Sequence, residues 1–274
     1  MFPAVTVCNI NPFKQSELRN TSLLRDMMNA AKTDEDFEHN RYAFKDSLLV
    51  DILSEHKEDA WKLGHQGEEL ITLCQFPGNQ KHLRCSHKNF SHFFDMVYGN
   101  CFTFNASNTI ISQPGHRQGF KLILFIDANE YIGLLADSVG ALITLHSPFV
   151  KPNLDENSIF VAPGSAVYVS LLAVNTSLLN YPYNGEKCRS NISYSQMDCL
   201  RSCVANEMRK KCGCVAVVMR QQPVCDSFNS KQADCLEFVN QNQDSLNCSC
   251  DPSCSQMEFS QTVSNSAWPS KAHM

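Results

Sequence analysis

Ten of the fourteen cysteines fall between Cys188 and Cys254, so the first chemistry the sequence offers is that of sulfur. Thiols clustered this way and even in number can pair as disulfides, bind zinc or act as nucleophiles, and spacing separates these uses. The short pairs, Cys212-Gly-Cys214 and Cys248-Ser-Cys250, have a single residue between them. Zinc pairs usually have roughly two to four and often recruit histidine, whereas no His lies between Cys188 and Cys254. Disulfides are therefore expected, and oxidised cysteines leave no thiol nucleophile. For other catalysis there is no Gly-x-Ser-x-Gly elbow, no phosphate-binding loop and no His-Glu-x-x-His helix, so the chain reads as no enzyme. His82, His87 and His92 recur every five residues, which suits a solvated loop better than a metal site on a helix. The acidic run Asp34, Glu35, Asp36 and Glu38 reads as a solvated helix start or loop. Neither metal nor any other cofactor is implied.

Bonded cysteines suit an oxidising compartment, and glycosylation sequons point the same way. Asn20, Asn89, Asn105, Asn175 and Asn191 each begin an Asn-x-Ser tripeptide, and Asn247 begins a weaker one with a cysteine in the middle. Yet Lys14 and Arg19 follow one short apolar stretch, which gives no signal-peptide core. The longest apolar runs, Leu122 to Ile126 and Val167 to Val174, have the length of buried strands and not of a bilayer span. The sequence thus reads as a segment of a larger protein that supplies the signal or the anchor. Hydrophobic residues make up 43%, enough for a substantial core, and a net charge of -5 without a long basic run argues against nucleic acid.

Three textures follow one another and must position these groups. Residues 16 to 68 are polar, with helix-compatible stretches at Ser22 to Lys32, where Leu23, Leu24, Met27 and Met28 recur at helical spacing, and at Ser54 to Leu63. From Glu69 the runs are of β type: Leu70 to Phe76, Cys101 to Asn105, Phe120 to Asp127, Ala141 to His146 and Ala166 to Val174. Pro77-Gly78, Pro114-Gly115 and Pro163-Gly164 punctuate them. Between these runs Phe90 to Tyr98 is expected as a helix with an aromatic face. The third texture starts at the Pro182-Tyr183-Asn184-Gly185 turn.

There a helix is expected from Gln196 to Lys211, with Cys199 and Cys203 on one face, while Cys248 and Cys250 point to one side of an extended chain. A nested ladder fits this geometry: Cys199 with Cys250, Cys203 with Cys248, Cys212 with Cys235, Cys214 with Cys225, and Cys188 with Cys254 at the base. Spacing makes the ladder plausible and leaves other pairings open.

Beyond spacing, an ordered set of motifs resembles the epithelial sodium channel, degenerin and acid-sensing ion channel family. They are Phe2-Pro3-Ala4-Val5-Thr6-Val7-Cys8-Asn9, Gly99-Asn100-Cys101-Phe102-Thr103-Phe104-Asn105, Val161-Ala162-Pro163-Gly164, Tyr194-Ser195, Lys211-Cys212-Gly213-Cys214 and Cys248-Ser249-Cys250-Asp251-Pro252-Ser253-Cys254. The likeness runs from Phe2 to about Pro269. It implies an α+β fold: a β-rich palm and β-ball with a helical finger and a disulfide-rich helical thumb. By this likeness residues 1-187 are palm, β-ball and finger, 188-254 the thumb, and 255-274 the start of a returning palm strand. It also implies seven bridges, the five above plus Cys8 with Cys101 and Cys74 with Cys85.

The resemblance implies the extracellular sensing and gating region of a ligand- or force-gated sodium channel subunit, at the plasma membrane in a homo- or heterotrimer. A ligand or tether is unknown, and membrane helices would flank the segment. Members carry such helices on both sides, so a chain without them is expected not to conduct. Acid-sensing members place a carboxylate two residues after the cysteine matched by Cys235 and another four further on; here these are Glu237 and Gln241, which weakens the case for proton gating. The turn from Tyr181 to Cys188, with Tyr183, is the candidate contact between thumb and wrist, and Glu237 the second gating candidate. A soluble disulfide-rich binding module is the alternative, and flanking membrane spans would separate the two.

Overall fold

The computed structural model describes residues 2–19, 22–33, 37–76, 83–106, 115, 119–179, 182–183, 187–219, 221–243 and 246–269. In chain order its strands are β1 (Ala4–Asn9), β2 (Ile71–Phe76), β3 (Leu83–Cys85), β4 (Phe90–Asp95), β5 (Gly99–Phe104), β6 (Lys121–Leu124), β7 (Ala141–His146), β8 (Ser158–Val161), β9 (Ser165–Ser177) and β10 (Ser255–Ala267). Its α-helices are α1 (Gln15–Leu18), α2 (Ser22–Thr33), α3 (Phe37–His56), α4 (Gly67–Leu70), α5 (Gln196–Cys212) and α6 (Ser230–Gln241). The fold is α+β.

β1 alternates valine with small polar residues; β5 and β7 cover its two edges in an antiparallel sheet ordered β4-β5-β1-β7-β8, and apolar clusters cover both its faces. Val5 and Val7 face a cluster with Phe2, Phe76, Phe102 and Phe104, beside the smaller sheet β3-β2-β6. On the other face Thr6 Oγ1 meets Thr103 Oγ1 at 2.7 Å and His146 Nε2 at 2.9 Å. Cys8 lies directly opposite Cys101 in the β1–β5 register, with Cα atoms 4.4 Å apart, and the two are bonded. Cys74 and Cys85 are bonded in the same way across β2 and β3.

Phe90 to Tyr98 is not the expected helix. Phe90–Asp95 is strand β4, paired with β5 from Phe90 opposite Phe104 to Asp95 opposite Gly99. Aromatic residues satisfy helical and strand periods alike over so short a run, and the waiting edge of β5 decides. The hairpin is closed by Asp95 Oδ1, which accepts from Val97 N and Tyr98 N at 2.9 and 3.0 Å. Gly99 has φ +67°, and a Cβ there would sit 2.3 Å from the Pro12 carbonyl oxygen, so only glycine fits.

The 16–68 region folds as helices around a core of its own. Phe44, Leu48 and Ile52 form an i, i+4 stripe on α3, packed with Leu18, Leu24 and Leu49 and with Ile132 and Leu135 from the far side of the chain. Helix α3 exceeds anything the sequence reading named; Ser54 to Leu63 straddles its end and continues as a 3₁₀ turn over Lys57–Leu63. A polar knot seats this arm on the central sheet. Asn11 Nδ2 donates to the Phe13 and Glu130 carbonyls at 2.6 and 2.8 Å, and Asn100 Nδ2 to those of Trp61 and His65 at 2.7 and 3.0 Å. His65 is 4% exposed; burial, then the Lys14 ammonium, hold its pKa below the ordinary value against the pull of Glu69, Asp127 and Glu130.

Candidate functional site

The cysteine-rich block grows out of the end of a long ribbon. β9 and β10 pair antiparallel over thirteen residues each, from Ser177 opposite Ser255 to Ser165 opposite Ala267. At about 3.3 Å per residue the ribbon is roughly 40 Å long. The chain leaves it after β9, builds the block, and re-enters at β10. Cys188 and Cys254 are bonded where the two ends meet. Arg189 N donates to the Pro252 carbonyl and Cys254 N to that of Arg189, both at 2.8 Å, while Leu178 N reaches the Cys254 carbonyl at 2.8 Å. Arg189 also stacks over the Tyr194 ring, 4.9 Å from its centre.

Inside the block, α5 starts at Ser195, whose hydroxyl accepts from Asp198 N, and ends at Gly213 with φ +76°. Helical period sets Cys199 and Cys203 one turn apart, bonded to Cys250 and Cys248. Cys212 is bonded to Cys235 on α6 and Cys214 to Cys225, and no cysteine of the chain is free. Among the described residues five buried ones, Val204, Ala205, Met208, Val215 and Val239, form the apolar centre. So small a core could not hold two helices in register without the bonds.

Among the described residues the block reaches outward to the helical arm and to the sheet. Towards the helical arm, the loop between α5 and α6 sends Phe228 onto Phe44 of α3, with ring centres 4.9 Å apart and planes at 74°. Val217 of that loop is counted within the arm's own core, and Val224 packs against it. Carboxylates ring the contact. Asp46 of α3 is raised in pKa by burial, partly offset by Lys45 and by a hydrogen bond from Ser227. Asp51 is raised by burial and then by the like charge of Asp226. Towards the sheet, Arg201 Nη2 donates to Asn153 Oδ1 at 2.8 Å and lies 3.3 Å from Asp155 Oδ2, in the β7–β8 connection. The same connection receives Gln261 of β10, whose Nε2 donates to the Asn157 carbonyl at 3.1 Å.

Neither of the two gating candidates named from sequence is among the residues of these contacts, although Glu237 lines a shallow surface depression together with Ser227, beside Phe228. Tyr183 is 80% exposed, and Tyr181 and residues 184–186 lie outside the described residues. Glu237 is exposed on α6, where its Oε1 accepts from Gln241 Nε2 at 2.9 Å, so the position without a second carboxylate holds a hydrogen-bonded amide. Phe44, Phe228, Asp46, Asp51 and Arg201 were invisible to motif reading, because their partners are remote in sequence. The one usable signal was the aromatic Phe228 in a polar loop. Of the spaced histidines, His82 lies outside the described residues, as do Asp34, Glu35 and Asp36; His92 Nε2 pairs with Asn100 Oδ1 at 2.9 Å.

A family model described as "Amiloride-sensitive sodium channel" matches residues 1–274. The chain is 32% identical to the epithelial sodium channel subunit beta of Xenopus laevis over 76% of its own length and 35% of the relative's. It is 29% identical to the subunit gamma of Rattus norvegicus over 77% of the chain and 35% of the relative. It is 28% identical to the bile acid-sensitive ion channel of Mus musculus over 98% of the chain and 58% of the relative. The chain thus spans about a third of the sodium channel subunits it matches. Among the described residues no helix is long and apolar enough to cross a membrane.

Proposed function

This chain belongs to the amiloride-sensitive sodium channel family, whose members are ion channels and not enzymes, and we propose that it is the extracellular sensing and gating region of a channel subunit. The helical arm acts as finger, the stapled block as thumb, and the sheets as palm and β-ball. A ligand or a force that shifts the finger against the thumb at Phe44 and Phe228 turns the thumb about its base. The base is fused to both strands of the ribbon, so the turn is delivered along the ribbon to a sodium pore formed by membrane spans of the full-length protein. The observation that carries this reading is the closure of the thumb by Cys188–Cys254 at the point where β9 and β10 meet it.

Assembly with like or related subunits, as a trimer, follows from the same reading. One face of the ribbon exposes Tyr168, Leu172 and Val174 at 50%, 64% and 42%, an apolar strip of the kind that interfaces cover. The test is the full-length parent expressed in oocytes, with amiloride-blockable sodium current measured per channel at the surface. Phe44→Ala together with Phe228→Ala is expected to shift the open fraction at unchanged surface density. An unchanged open fraction would overturn the lever. A parent transcript without membrane spans would overturn the channel reading and leave a binding module.

A further inference from the structure

The fold leaves an open groove of about 420 Å³ between the end of the helical arm and the β4 edge of the central sheet, and the finger–thumb–ribbon path makes no use of it. Trp61 forms one wall and is 39% exposed. Its indole is oriented by His92, 5.9 Å away, which lies 5.4 Å from the Phe102 ring. Gly67 passes so close to Phe102 that a Cβ would fall 2.8 Å from the ring, so this part of the floor is backbone and aromatic face. Glu68 and Lys88 are exposed at the margin. Lys62 Nζ lies 5.8 Å from the indole centre, on a solvent-exposed side chain that an arriving group can displace. A flat apolar wall with polar groups around it is the arrangement that holds a sugar ring: its C–H face stacks on the indole and its hydroxyls meet the margin.

The residues beside the groove supply the sugar. Lys88 and Phe90 both line it, and between them stands Asn89, the first residue of Asn89-Phe90-Ser91. Asn89 is exposed at the end of the 3₁₀ turn before β4. Its Oδ1 accepts from Ser86 N at 2.9 Å, while its Nδ2 makes no hydrogen bond among the described residues. The carboxamide is therefore held by the oxygen that a glycosylated asparagine keeps, with the nitrogen that carries the sugar left open. Asn105 differs: its Nδ2 already donates to the Pro148 carbonyl at 3.2 Å.

We propose that Asn89 carries an N-linked glycan whose innermost N-acetylglucosamine residues seat in this groove against Trp61. Attachment joins Asn89 Nδ2 to the anomeric carbon of a lipid-diphosphate oligosaccharide donor; the bond to the diphosphate breaks and the amide gives up one proton. The seated sugar then fastens the arm's last turn to the β4 edge. This inference rests on the extracellular placement proposed above.

The test uses this chain secreted from cells that make only high-mannose glycans, with Trp268→Phe leaving Trp61 as the remaining one of its two tryptophans. Glycopeptide mass spectrometry reads occupancy at each sequon. Acrylamide quenching of Trp61 is then compared for the native glycan, for an endoglycosidase-trimmed single sugar, and after complete enzymatic removal from the folded protein. Quenching is expected to stay low with one sugar and to rise roughly twofold on full removal, as one ring face becomes accessible. Asn89→Gln should match the fully deglycosylated protein, and enzymatic removal carries the test even if that variant fails to fold. Quenching indifferent to the glycan overturns the seating. Occupancy at Asn175 or Asn191 with Asn89 bare overturns this proposal alone, whereas a chain bare at every sequon overturns the extracellular placement as well.

Discussion

The helical arm and the stapled block, proposed above as finger and thumb, are both helical and touch each other, yet they are held together by opposite means. The finger contains no cysteine from Gln15 to Leu70 and rests on a dozen buried residues, among them Phe44, Leu48, Leu49 and Ile52. The thumb's own apolar cluster has five buried members among the described residues, and five disulfides cross it. A core of apolar contacts can shift and repack at modest cost, whereas a bonded ladder keeps its shape while it turns. The difference suits the lever proposed above: a yielding element to receive a stimulus and a stiff one to transmit it. On that reading, changes to the finger should act on stability and changes to the thumb on stiffness.

The largest effect should follow from a hole in the finger. Leu48 is fully buried, and Leu48→Ala should cost about 2 to 5 kcal/mol in reversible unfolding, depending on how far α3 collapses onto the space. With no covalent link to limit the damage, hydrogen exchange should rise along α2 and α3 and leave α5 and α6 protected. Equal loosening of thumb and finger would show that they unfold as one unit and remove the contrast.

A smaller loss is expected from the thumb, for a reason particular to nested bonds. Alone, a bridge spanning the 45 residues from Cys203 to Cys248 would contribute roughly 4 kcal/mol in the chain-entropy model. With Cys199–Cys250 already closed, the second rung closes a much shorter loop, worth roughly 2 to 3 kcal/mol. Cys203→Ser with Cys248→Ser should therefore leave a folded thumb. In the full-length parent, its response to the stimulus should be blunted at normal surface density. A loss above the single-bridge figure would mean that the rungs are not redundant and that the thumb needs each for folding.

How much of this contrast the sequence displayed differs between the two regions. The disulfide-bonded block announced itself, because i, i+4 cysteines and one-residue cysteine pairs restrict geometry locally; the expected Gln196 to Lys211 helix is α5, Gln196–Cys212. Strand Ala141–His146 has its expected bounds, since β-branched and aliphatic residues there lie between turn residues. The finger was legible only as polar and helix-compatible. The stripe Phe44, Leu48, Ile52 was present, but its partners Ile132 and Leu135 come from another segment that no local pattern connects to it. Phe90–Asp95 was misread for a related reason: the strand is made by the β5 edge and the turn at Gly99, not by its own propensity. Contacts between regions, such as Arg201 with Asn153, carry no sequence signature at all.

Where the two regions meet, Phe228→Ala should remove a half-exposed ring and cost about 1 kcal/mol. A double-mutant cycle with Phe44→Ala should return a coupling of about 0.5 to 1.5 kcal/mol, the usual worth of an edge-on aromatic pair. Additive losses would mean that the rings are neighbours without being partners, and the finger would then have to reach the thumb through Val217 and Val224.

The smallest effect expected is also the most selective, because acid should move the two ends of the finger in opposite directions. Asp46 and Asp51 have pKa values raised above 3.8 in the folded protein, so each holds its proton more tightly with the finger against the thumb than when the chain is unfolded. Their contribution strengthens as pH falls through the folded pKa and is complete once the unfolded value is passed. His65 at the finger's seat has a lowered pKa, so its contribution is full above about 6.5 and is lost as pH falls from there through the folded value. Glu69 and Glu130, also lowered, add a further loss below about 4.5. Hydrogen exchange followed from pH 7 down to the 3.8 of an unfolded aspartate, corrected for intrinsic rates, should therefore show protection rising near Phe44 and Phe228 while it falls around Asn11 and His65. Asp46→Asn with Asp51→Asn should abolish the first change and leave the second. A uniform response at both ends would mean that the finger moves as a rigid body, and the yielding half of the lever would have to be sought in the sheet beneath it.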